Sequence, residues 1–281
     1  MDSKKVYAHL EKDFIKPELS DDWVQYMGEI RDFLCENFKK RSMGLVCDNT
    51  SEINSVYTAV FPSEEVMKFI LKTGKKNILL FVHHPSIWDI RAAPKIFFQM
   101  NKNLLEEFKK NKISIYNLHV PLDNYSDYST SKTLAKKLGL KEIEPFAPYF
   151  GGLAGVIGKT KLGLSALKAE FEKIAGHKTV LYNYGTEIKN SLVGVTAGGG
   201  NQIETLEELK KRGINTFITG VSIKNDHSKK EHDYAKENKI NILGGTHYST
   251  EKFACIKMCE YFKKIGLPCE FIEDKPILED M

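Results

Sequence analysis

The stretch that decides the fold is NILLFVHHP, residues 77–85. Its apolar run Ile78–Val82 is closed off by Pro85, which is the pattern of a short buried strand that ends in a turn. Two histidines, His83 and His84, stand directly at the end of that run. Because ligands bind beyond the carboxyl ends of strands in open α/β sheets, the stretch predicts a buried strand with a functional end.

On both sides of this strand, strand-like and helix-like patterns alternate along the chain. Short segments bounded by turn residues predict further strands at 56–61, 113–118, 153–157, 179–184, 192–196, 214–219 and 240–243. Apolar residues at helical spacing predict a helix after Ser63 and helices at 101–110, 129–138, 164–174, 202–212 and 249–264. This alternation predicts an α/β fold with mixed, largely parallel sheets.

Two segments indicate how the chain is divided. Residues 20–39 carry apolar side chains at helical spacing, and they predict an amphipathic helix with Ser20 as its N-cap. We therefore expect residues 1–43 to form an N-terminal helical extension and residues 44–281 to form a domain of two lobes. The segment EPFAPYFGG, residues 144–152, is rich in proline, glycine and aromatic residues, and it predicts the connection between the lobes.

The composition excludes several classes of protein. The 281 residues are 42% hydrophobic and 28% charged, which is the balance of a globular chain and not of a disordered one. A net charge of +4 with both signs scattered does not indicate nucleic-acid binding. We find neither a secretory signal nor an apolar run long enough to span a membrane, and five cysteines without a C-x-x-C pattern favour a reducing compartment. We therefore expect a cytoplasmic protein with no membrane partner.

The predicted strands deliver histidines to a common kind of position. His83 and His84 end one strand, His119 follows the strand at 113–118, and His247 follows the strand at 240–243. Because all of these residues come after the carboxyl ends of predicted strands, we expect separate chain segments to bring imidazoles to one edge.

Two carboxylates accompany these histidines at helical spacing. Asp123 comes four residues after His119, and Glu251 comes four residues after His247, so each pair can point the same way. Four imidazoles and two carboxylates are more than one catalytic zinc needs, and they predict two divalent metal ions with three protein ligands each. A donor set of nitrogen and oxygen suits zinc, iron, manganese or nickel without selecting one of them. The alternative is that the histidines are hydrogen-bonded structural residues and bind no metal.

A second candidate is the glycine-rich turn in GVTAGGGN, residues 194–201. Gly198, Gly199 and Gly200 lie between a predicted strand and a predicted helix, where the backbone can approach a ligand and N–H groups can bind an anion. We expect these glycines to contact an anionic part of the substrate. A plain βα turn is the alternative, because the motif matches neither a P-loop nor a dinucleotide-binding fingerprint.

Two cysteines and two histidines outside these groups are interpreted as structural residues. Cys255 and Cys259 lie four apart on the predicted last helix, and we interpret them as core-facing residues and not as a metal or redox pair. His227 and His232 lie in the charged run at 225–239, which we interpret as a solvated helix and loop, with a third metal site as the alternative.

Five motifs in a fixed order resemble a known family. They are FVHHP (81–85), LHVPLDNYSDYSTSKTLAKKLGL (118–140), GVTAGGGN (194–201), FITG (217–220) and GGTHYSTE (244–251). The chain resembles the Nif-three-like family, whose members carry a dinuclear metal centre, from about residue 44 to its end. The resemblance implies two linked α/β lobes and a toroidal homohexamer. It places the metal ligands at His83, His84, His119, Asp123, His247 and Glu251.

The same resemblance implies a function. Many members are named as GTP cyclohydrolase I type 2-like proteins, so we expect a dinuclear metal-dependent hydrolase of a small molecule, with ring opening of a nucleotide as the candidate reaction. The sequence identifies no catalytic residue beyond the ligands, and either Asp123 or Glu251 can bridge the metals. The alternative is a non-catalytic metal-binding or ring-forming scaffold protein. Val221 stands where the family often has an acidic residue, and the segment 221–236 is longer and more charged, so we carry no functional residue into it.

Overall fold

The computed structural model describes residues 1–226 and 228–281, which divide into two compact units. Unit 1 consists of Met1–Leu122 and Cys255–Lys275, and unit 2 consists of Asp123–Ala254 and Pro276–Met281. Each unit is built on its own sheet of parallel and antiparallel strands. The prediction of an α/β fold with mixed sheets is therefore confirmed.

The helices and strands of the described residues are as follows. The α-helices are α1 (Ser3–Phe14), α2 (Glu36–Arg41), α3 (Glu64–Lys72), α4 (Lys102–Lys110), α5 (Val120–Asp123), α6 (Thr130–Lys137), α7 (Leu164–Ala175), α8 (Ile203–Lys211), α9 (Lys229–Glu237) and α10 (His247–Lys264). The strands are β1 (Gly44–Cys47), β2 (Ser55–Ala59), β3 (Ile78–Val82), β4 (Ile87–Trp88), β5 (Phe97–Phe98), β6 (Ile113–Asn117), β7 (Lys141–Tyr149), β8 (Gly152–Lys159), β9 (Val180–Tyr182), β10 (Leu192–Thr196), β11 (Thr216–Thr219), β12 (Asn241–Gly244) and β13 (Cys269–Phe271). Among these helices, none combines the length and the apolar character that crossing a bilayer requires.

The sheet of unit 1 places the two histidine-bearing strands side by side. Its order is β1-β6-β3-β2-β13, with β1 antiparallel to β6 and the other neighbours parallel. Every residue of β3 and β6 is buried, as expected for parallel strands that are covered on both faces. Val82 pairs with Asn117 in the register of these strands, so the residues that follow them leave the sheet at the same edge.

The predicted single helix over 20–39 is wrong. The segment forms 3-10 helices at Trp23–Tyr26 and Gly28–Phe33 before α2 begins. The reason is that Gln99 Oε1 accepts hydrogen bonds from the backbone N–H groups of Glu29 (2.7 Å) and Ile30 (3.1 Å), which an α-helix would have used internally. The apolar spacing nevertheless predicted the buried face. This face consists of Trp23, Met27, Ile30, Leu34 and Phe38.

The sheet of unit 2 has the order β7-β8-β10-β11-β12-β9. The central strands β10, β11 and β12 are parallel, and β7, β8 and β9 join them in antiparallel pairs. Thr196 pairs with Thr219, and Thr219 pairs with Gly244, so the three parallel strands end together. The glycine-rich turn after β10 and the start of α10 after β12 therefore lie at one edge of this sheet. Residues 144–152 lie in β7 and its turn into β8, within unit 2.

Candidate functional site

Three histidines of unit 1 converge beyond the ends of β3 and β6. His83 is 0% exposed, His84 is 2% exposed and His119 is 8% exposed. One potential ligand atom from each of the three lies within 4.8 Å of the others. The ring centroids of His83 and His84 are 4.3 Å apart, so these two neighbours in the sequence lie side by side. Three imidazoles in this arrangement are a donor set that suits a divalent transition metal.

Hydrogen bonds to the Nδ1 atoms determine the tautomers of two of these histidines. His83 Nδ1 lies 3.0 Å from the carbonyl oxygen of Leu118, and His119 Nδ1 lies 3.0 Å from Oδ2 of Asp21. A carbonyl oxygen and an ionised carboxylate only accept hydrogen bonds, so Nδ1 is the donor in both rings. The lone pair of each neutral imidazole is then on Nε2, which is the atom available as a metal ligand.

Aromatic side chains enclose the same histidines. The ring of Phe61 stacks on His84 at a centroid distance of 4.8 Å, and Trp23 makes edge contacts with His84 (5.5 Å) and His119 (5.0 Å). Trp23 is itself only 4% exposed. These contacts hold the imidazole rings in place and keep water from surrounding them.

Asp21 is a site residue that the sequence analysis missed. Its side chain is 1% exposed, and besides His119 it accepts a hydrogen bond from the backbone N–H of Val120 (3.3 Å). The sequence predicts that Asp21 lies in the first turn of a helix, where an acidic residue is common because it interacts favourably with the helix dipole. No spacing relates Asp21 to His119 across 98 positions of the chain, so only the folded structure reveals this pair.

In unit 2, His247 and Glu251 form a buried pair on the first turn of α10. His247 Nε2 lies 3.2 Å from Oε1 of Glu251, and both side chains are about 5% exposed or less. The contact has the i, i+4 geometry that the sequence spacing predicts. The backbone N–H of His247 donates to Oδ2 of Asp280 at 2.8 Å. This buried carboxylate thus accepts a hydrogen bond from a backbone N–H of the first turn, which has no partner within the helix.

Gly198 lies against this pair. A Cβ atom at Gly198 would stand 2.1 Å from Oε1 of Glu251 and 3.1 Å from Nε2 of His247, and the backbone has a φ of +65°. The N–H of Gly198 donates to Oγ1 of Thr250 (3.0 Å), and its carbonyl accepts from the N–H of Gly220 (3.1 Å). Glycine at this position therefore leaves room for the donor atoms of α10, while the turn itself is hydrogen-bonded to the protein.

The carboxylate of Asp123 completes the donors of unit 2. It accepts a hydrogen bond from the hydroxyl of Thr130 at 2.7 Å, and it is 8% exposed. An oxygen of Asp123 and one of Glu251 lie within 4.8 Å of each other. Two buried carboxylates at that distance repel each other when ionised, and a cation removes that cost.

Histidines outside these groups have other surroundings. His232 is buried, with Nδ1 3.0 Å from the hydroxyl of Tyr184 and Nε2 3.1 Å from the carbonyl of Ser222. Burial lowers the pKa of His232 below its ordinary value. Its two ring nitrogens are thus used in structural hydrogen bonds, contrary to the alternative of a third metal site. His227 lies outside the described residues.

The buried donors fit a metal ion. They are nitrogen and oxygen atoms only, Asp21 supports one of the histidines from behind, and Gly198 leaves space beside two others. Buried His, Asp and Glu groups of this protein could therefore hold a metal ion, and the donor set leaves the number and identity of metals open.

The mixed sheets and the buried histidines and carboxylates at their strand ends define an α/β protein with metal-ligating potential. The model of the Duf34/NIF3 (NGG1p interacting factor 3) family matches residues 21–276. The chain belongs to this family, as the sequence motifs predict.

Individual relatives agree with this assignment. A GTP cyclohydrolase 1 type 2 homolog of Borreliella burgdorferi is 30% identical over 230 residues, which cover 81% of this chain and 86% of the relative. A protein of the same name from Pyrococcus horikoshii is 27% identical, with 90% and 97% covered. Among solved structures, protein ybgI of unknown function has a TM-score of 0.73 at 19% identity, with 99% of this chain and 100% of that chain covered. Reduced HcgD from Methanocaldococcus jannaschii has a TM-score of 0.69 at 22% identity, with 98% of each chain covered. These two likenesses concern the fold alone.

Proposed function

We propose that this protein is a dinuclear metal-dependent hydrolase. In this proposal His83, His84, His119, Asp123, His247 and Glu251 bind two divalent metal ions. The observation that carries it is the group of three buried imidazoles in unit 1 whose ligand atoms lie within 4.8 Å of one another. Three imidazoles with potential ligand atoms this close together are a donor set that suits a divalent transition metal. Zinc, iron and manganese all suit the donors.

The proposed chemistry divides between the metals and the chain. Bound divalent ions would lower the pKa of a coordinated water and polarise the group that this water attacks. Asp21 holds His119 in the tautomer that presents Nε2, and the carbonyl of Leu118 does the same for His83. Phe61 and Trp23 keep bulk water away from the imidazoles, which strengthens electrostatic interactions near them.

The proposed substrate is a small molecule with an anionic group, such as a nucleotide. The support is the printed name of the relatives, GTP cyclohydrolase 1 type 2 homolog, which makes hydrolytic ring opening of GTP the first reaction to test. Gly198, Gly199 and Gly200 remain our proposed contact for the anionic group. Because the polar backbone groups of Gly198 already bond to Thr250 and Gly220, the N–H groups of Gly199 and Gly200 are the ones we assign to it.

Turnover of GTP by metal-loaded protein tests this proposal. We expect the wild type to consume GTP in a chromatographic assay, and we expect His84→Ala and Glu251→Ala to abolish that activity. His9→Ala is the matched control, because His9 is exposed on α1 and belongs to neither donor group. The assay includes other nucleotides and phosphoesters, so that a wrong substrate is distinguished from a wrong reaction class.

A non-catalytic metal-binding or ring-forming scaffold is the alternative function. It predicts bound metal and no turnover of any nucleotide or phosphoester. Native mass spectrometry of the same samples measures the proposed homohexamer, and its persistence in His84→Ala would show that assembly does not depend on the metal. The cytoplasmic location of the protein also remains a proposal.

A further inference from the structure

A pair of cysteines in unit 1 lies outside the groups described above. Cys259 is on α10 and Cys269 is the first residue of β13, the edge strand that pairs with β2. The thiol of Cys269 donates a hydrogen bond to Sγ of Cys259 across 2.9 Å. A disulfide has an S–S distance of about 2.05 Å, so the two sulfurs need to approach by less than about 1 Å to be joined.

A threonine from the sheet supports the pair. The hydroxyl of Thr58, which is fully buried on β2, lies 3.3 Å from Sγ of Cys259 and donates to the backbone carbonyl of Cys255 at 2.9 Å. Cys255 is the helical neighbour of Cys259, but its own thiol donates to the carbonyl of Ala59 at 3.3 Å. The contact partner of Cys259 is thus Cys269, ten residues away, and not the residue that shares its helix face.

The two thiols differ in acidity. The hydrogen bond from Cys269 lowers the pKa of Cys259 to about 7, against the opposing effect of burial, and the positive charge of Lys263 acts in the same direction. The same hydrogen bond, together with burial, raises the pKa of Cys269 well above its ordinary value. Cys259 therefore has thiolate character near neutral pH, while Cys269 keeps its proton. Such an asymmetry is typical of an attacking and a resolving cysteine.

We propose that Cys259 and Cys269 are an oxidation site at which hydrogen peroxide converts two thiols into an intramolecular disulfide. The Cys259 thiolate attacks one peroxide oxygen, an S–O bond forms, the O–O bond breaks, and the leaving hydroxide takes up the proton that Cys259 released. The Cys269 sulfur then attacks the sulfenic sulfur of Cys259. The S–S bond forms, the S–O bond breaks, and the hydroxyl group leaves with the Cys269 proton as a second water. The thiols lose two electrons and the peroxide gains them.

The surroundings suit this reaction. Cys259 is 7% exposed, and Cys269 is half-buried on the edge strand β13, so neither residue is completely shielded from solvent. The disulfide would link α10 to β13 and would close the short loop that contains Gly266. By contrast, burial raises the pKa of Cys35 to about 11, so this half-buried thiol remains protonated at neutral pH.

Oxidation of the full chain tests the proposal. Reduced protein is treated with hydrogen peroxide, quenched with catalase, alkylated under denaturing conditions and digested for mass spectrometry. We expect a loss of two of the five thiols, leaving three, and a cross-linked peptide that contains Cys259 and Cys269. Dithiothreitol should restore all five. Cys35→Ser should behave like the wild type apart from its missing thiol. Cys269→Ser should leave Cys259 as a sulfenic acid that dimedone traps.

The wild-type digest alone can overturn the proposal. No cross-link after peroxide treatment, a cross-link between other cysteines, or sulfinic acid at Cys259 without any disulfide would each contradict it. These readings need no variant, so they hold even if Cys269→Ser does not fold. They are also independent of metal content and turnover, which test the proposed function.

Discussion

The carboxylate of Asp21 accepts a hydrogen bond from Nδ1 of His119 at 3.0 Å, although 98 residues of sequence separate them. Asp21 belongs to the segment that precedes the first strand of unit 1, and its side chain is almost completely buried. A carboxylate behind a metal-ligating histidine increases the basicity of the ligand and fixes its orientation. The N-terminal segment thus supports one of the proposed ligands, in addition to its apolar packing.

Removing the charge of Asp21 should weaken metal binding. We expect Asp21→Asn to lower the affinity for zinc by about 10- to 100-fold, because an amide is a poorer acceptor for the His119 N–H. Competition with a chelator measures this change. Asp22→Asn is the matched control, since the exposed side chain of Asp22 accepts a hydrogen bond from Gln25, and the backbone N–H that Asp22 donates to Asp21 is kept in the variant. Equal affinities for Asp21→Asn and Asp22→Asn would show that Asp21 has no such role.

A side chain at Gly198 should displace Glu251. We expect Gly198→Ala to reduce metal retention, because its Cβ would stand 2.1 Å from Oε1 of Glu251. The positive φ of Gly198 adds a strain of about 1–2 kcal/mol to any residue with a Cβ. Gly213→Ala is the control for this strain, because Gly213 has a φ of +71° and its Cβ would meet no atom within 4 Å. Gly199→Ala, which also meets nothing within 4 Å, controls for the turn. Metal content of the three variants separates the effects, and full retention in Gly198→Ala would contradict the packing argument.

Replacing Gln99 should destabilise unit 1. We expect Gln99→Ala to lower the free energy of unfolding by about 0.5–1.5 kcal/mol, because the N–H groups of Glu29 and Ile30 lose their shared acceptor but are accessible to water. Gln99→Glu keeps an acceptor oxygen and should lose less. Urea unfolding followed by circular dichroism measures both variants. An unfolding free energy of Gln99→Ala equal to that of the wild type would show that these hydrogen bonds contribute nothing.

His232 should make stability depend on pH. Burial lowers its pKa below the ordinary value of 6.5, so the unfolded chain binds a proton at this residue more readily than the folded chain does. The contribution of neutral His232 to the free energy of unfolding is therefore complete above pH 6.5. It is lost as the pH falls from 6.5 towards the lower pKa that His232 has in the folded protein. His232→Gln, which cannot titrate but can still bond to Tyr184 or Ser222, should lose less stability over that range. His9→Gln should follow the wild type, whereas parallel curves for all three proteins would refute the assignment.

The sequence predicted the regions where periodicity and burial agree. The strand Ile78–Val82 and the helix after Ser63 occur as expected, and the hydroxyl of Ser63 accepts a hydrogen bond from the N–H of Val66 as an N-cap. The close approach of His247 to Glu251 followed from helical spacing, because that contact is local. We expected His83, His84 and His119 to meet because residues that follow neighbouring strands leave a sheet at the same edge, and the parallel register of β3 and β6 confirms this. His247, which was expected at that edge too, follows β12 of the other sheet.

Side-chain contacts made by irregular segments with distant parts of the chain could not be predicted. The 3-10 helix at Gly28–Phe33 is hydrogen-bonded to Gln99, 70 positions after Glu29, and local propensity contains no information about that contact. Residues 144–152 looked like a connection because they contain Pro145 and Pro148. Both prolines occur in β7, which lies at the edge of its sheet. Proline is tolerated there because no neighbouring strand needs its N–H. The pair of Cys259 and Cys269 was hidden because the regular helical spacing pointed to Cys255 instead.

The metal content of the wild type and of ligand variants decides whether these side chains bind two metal ions. Elemental mass spectrometry of wild type, His84→Ala, Glu251→Ala and the control His9→Ala should be performed after reconstitution with zinc, manganese or iron under anaerobic conditions. We expect about two metal ions per chain in wild type and in His9→Ala, and a sharply lower metal content in His84→Ala and Glu251→Ala. Wild-type protein that retains no metal under any of these conditions would contradict this expectation.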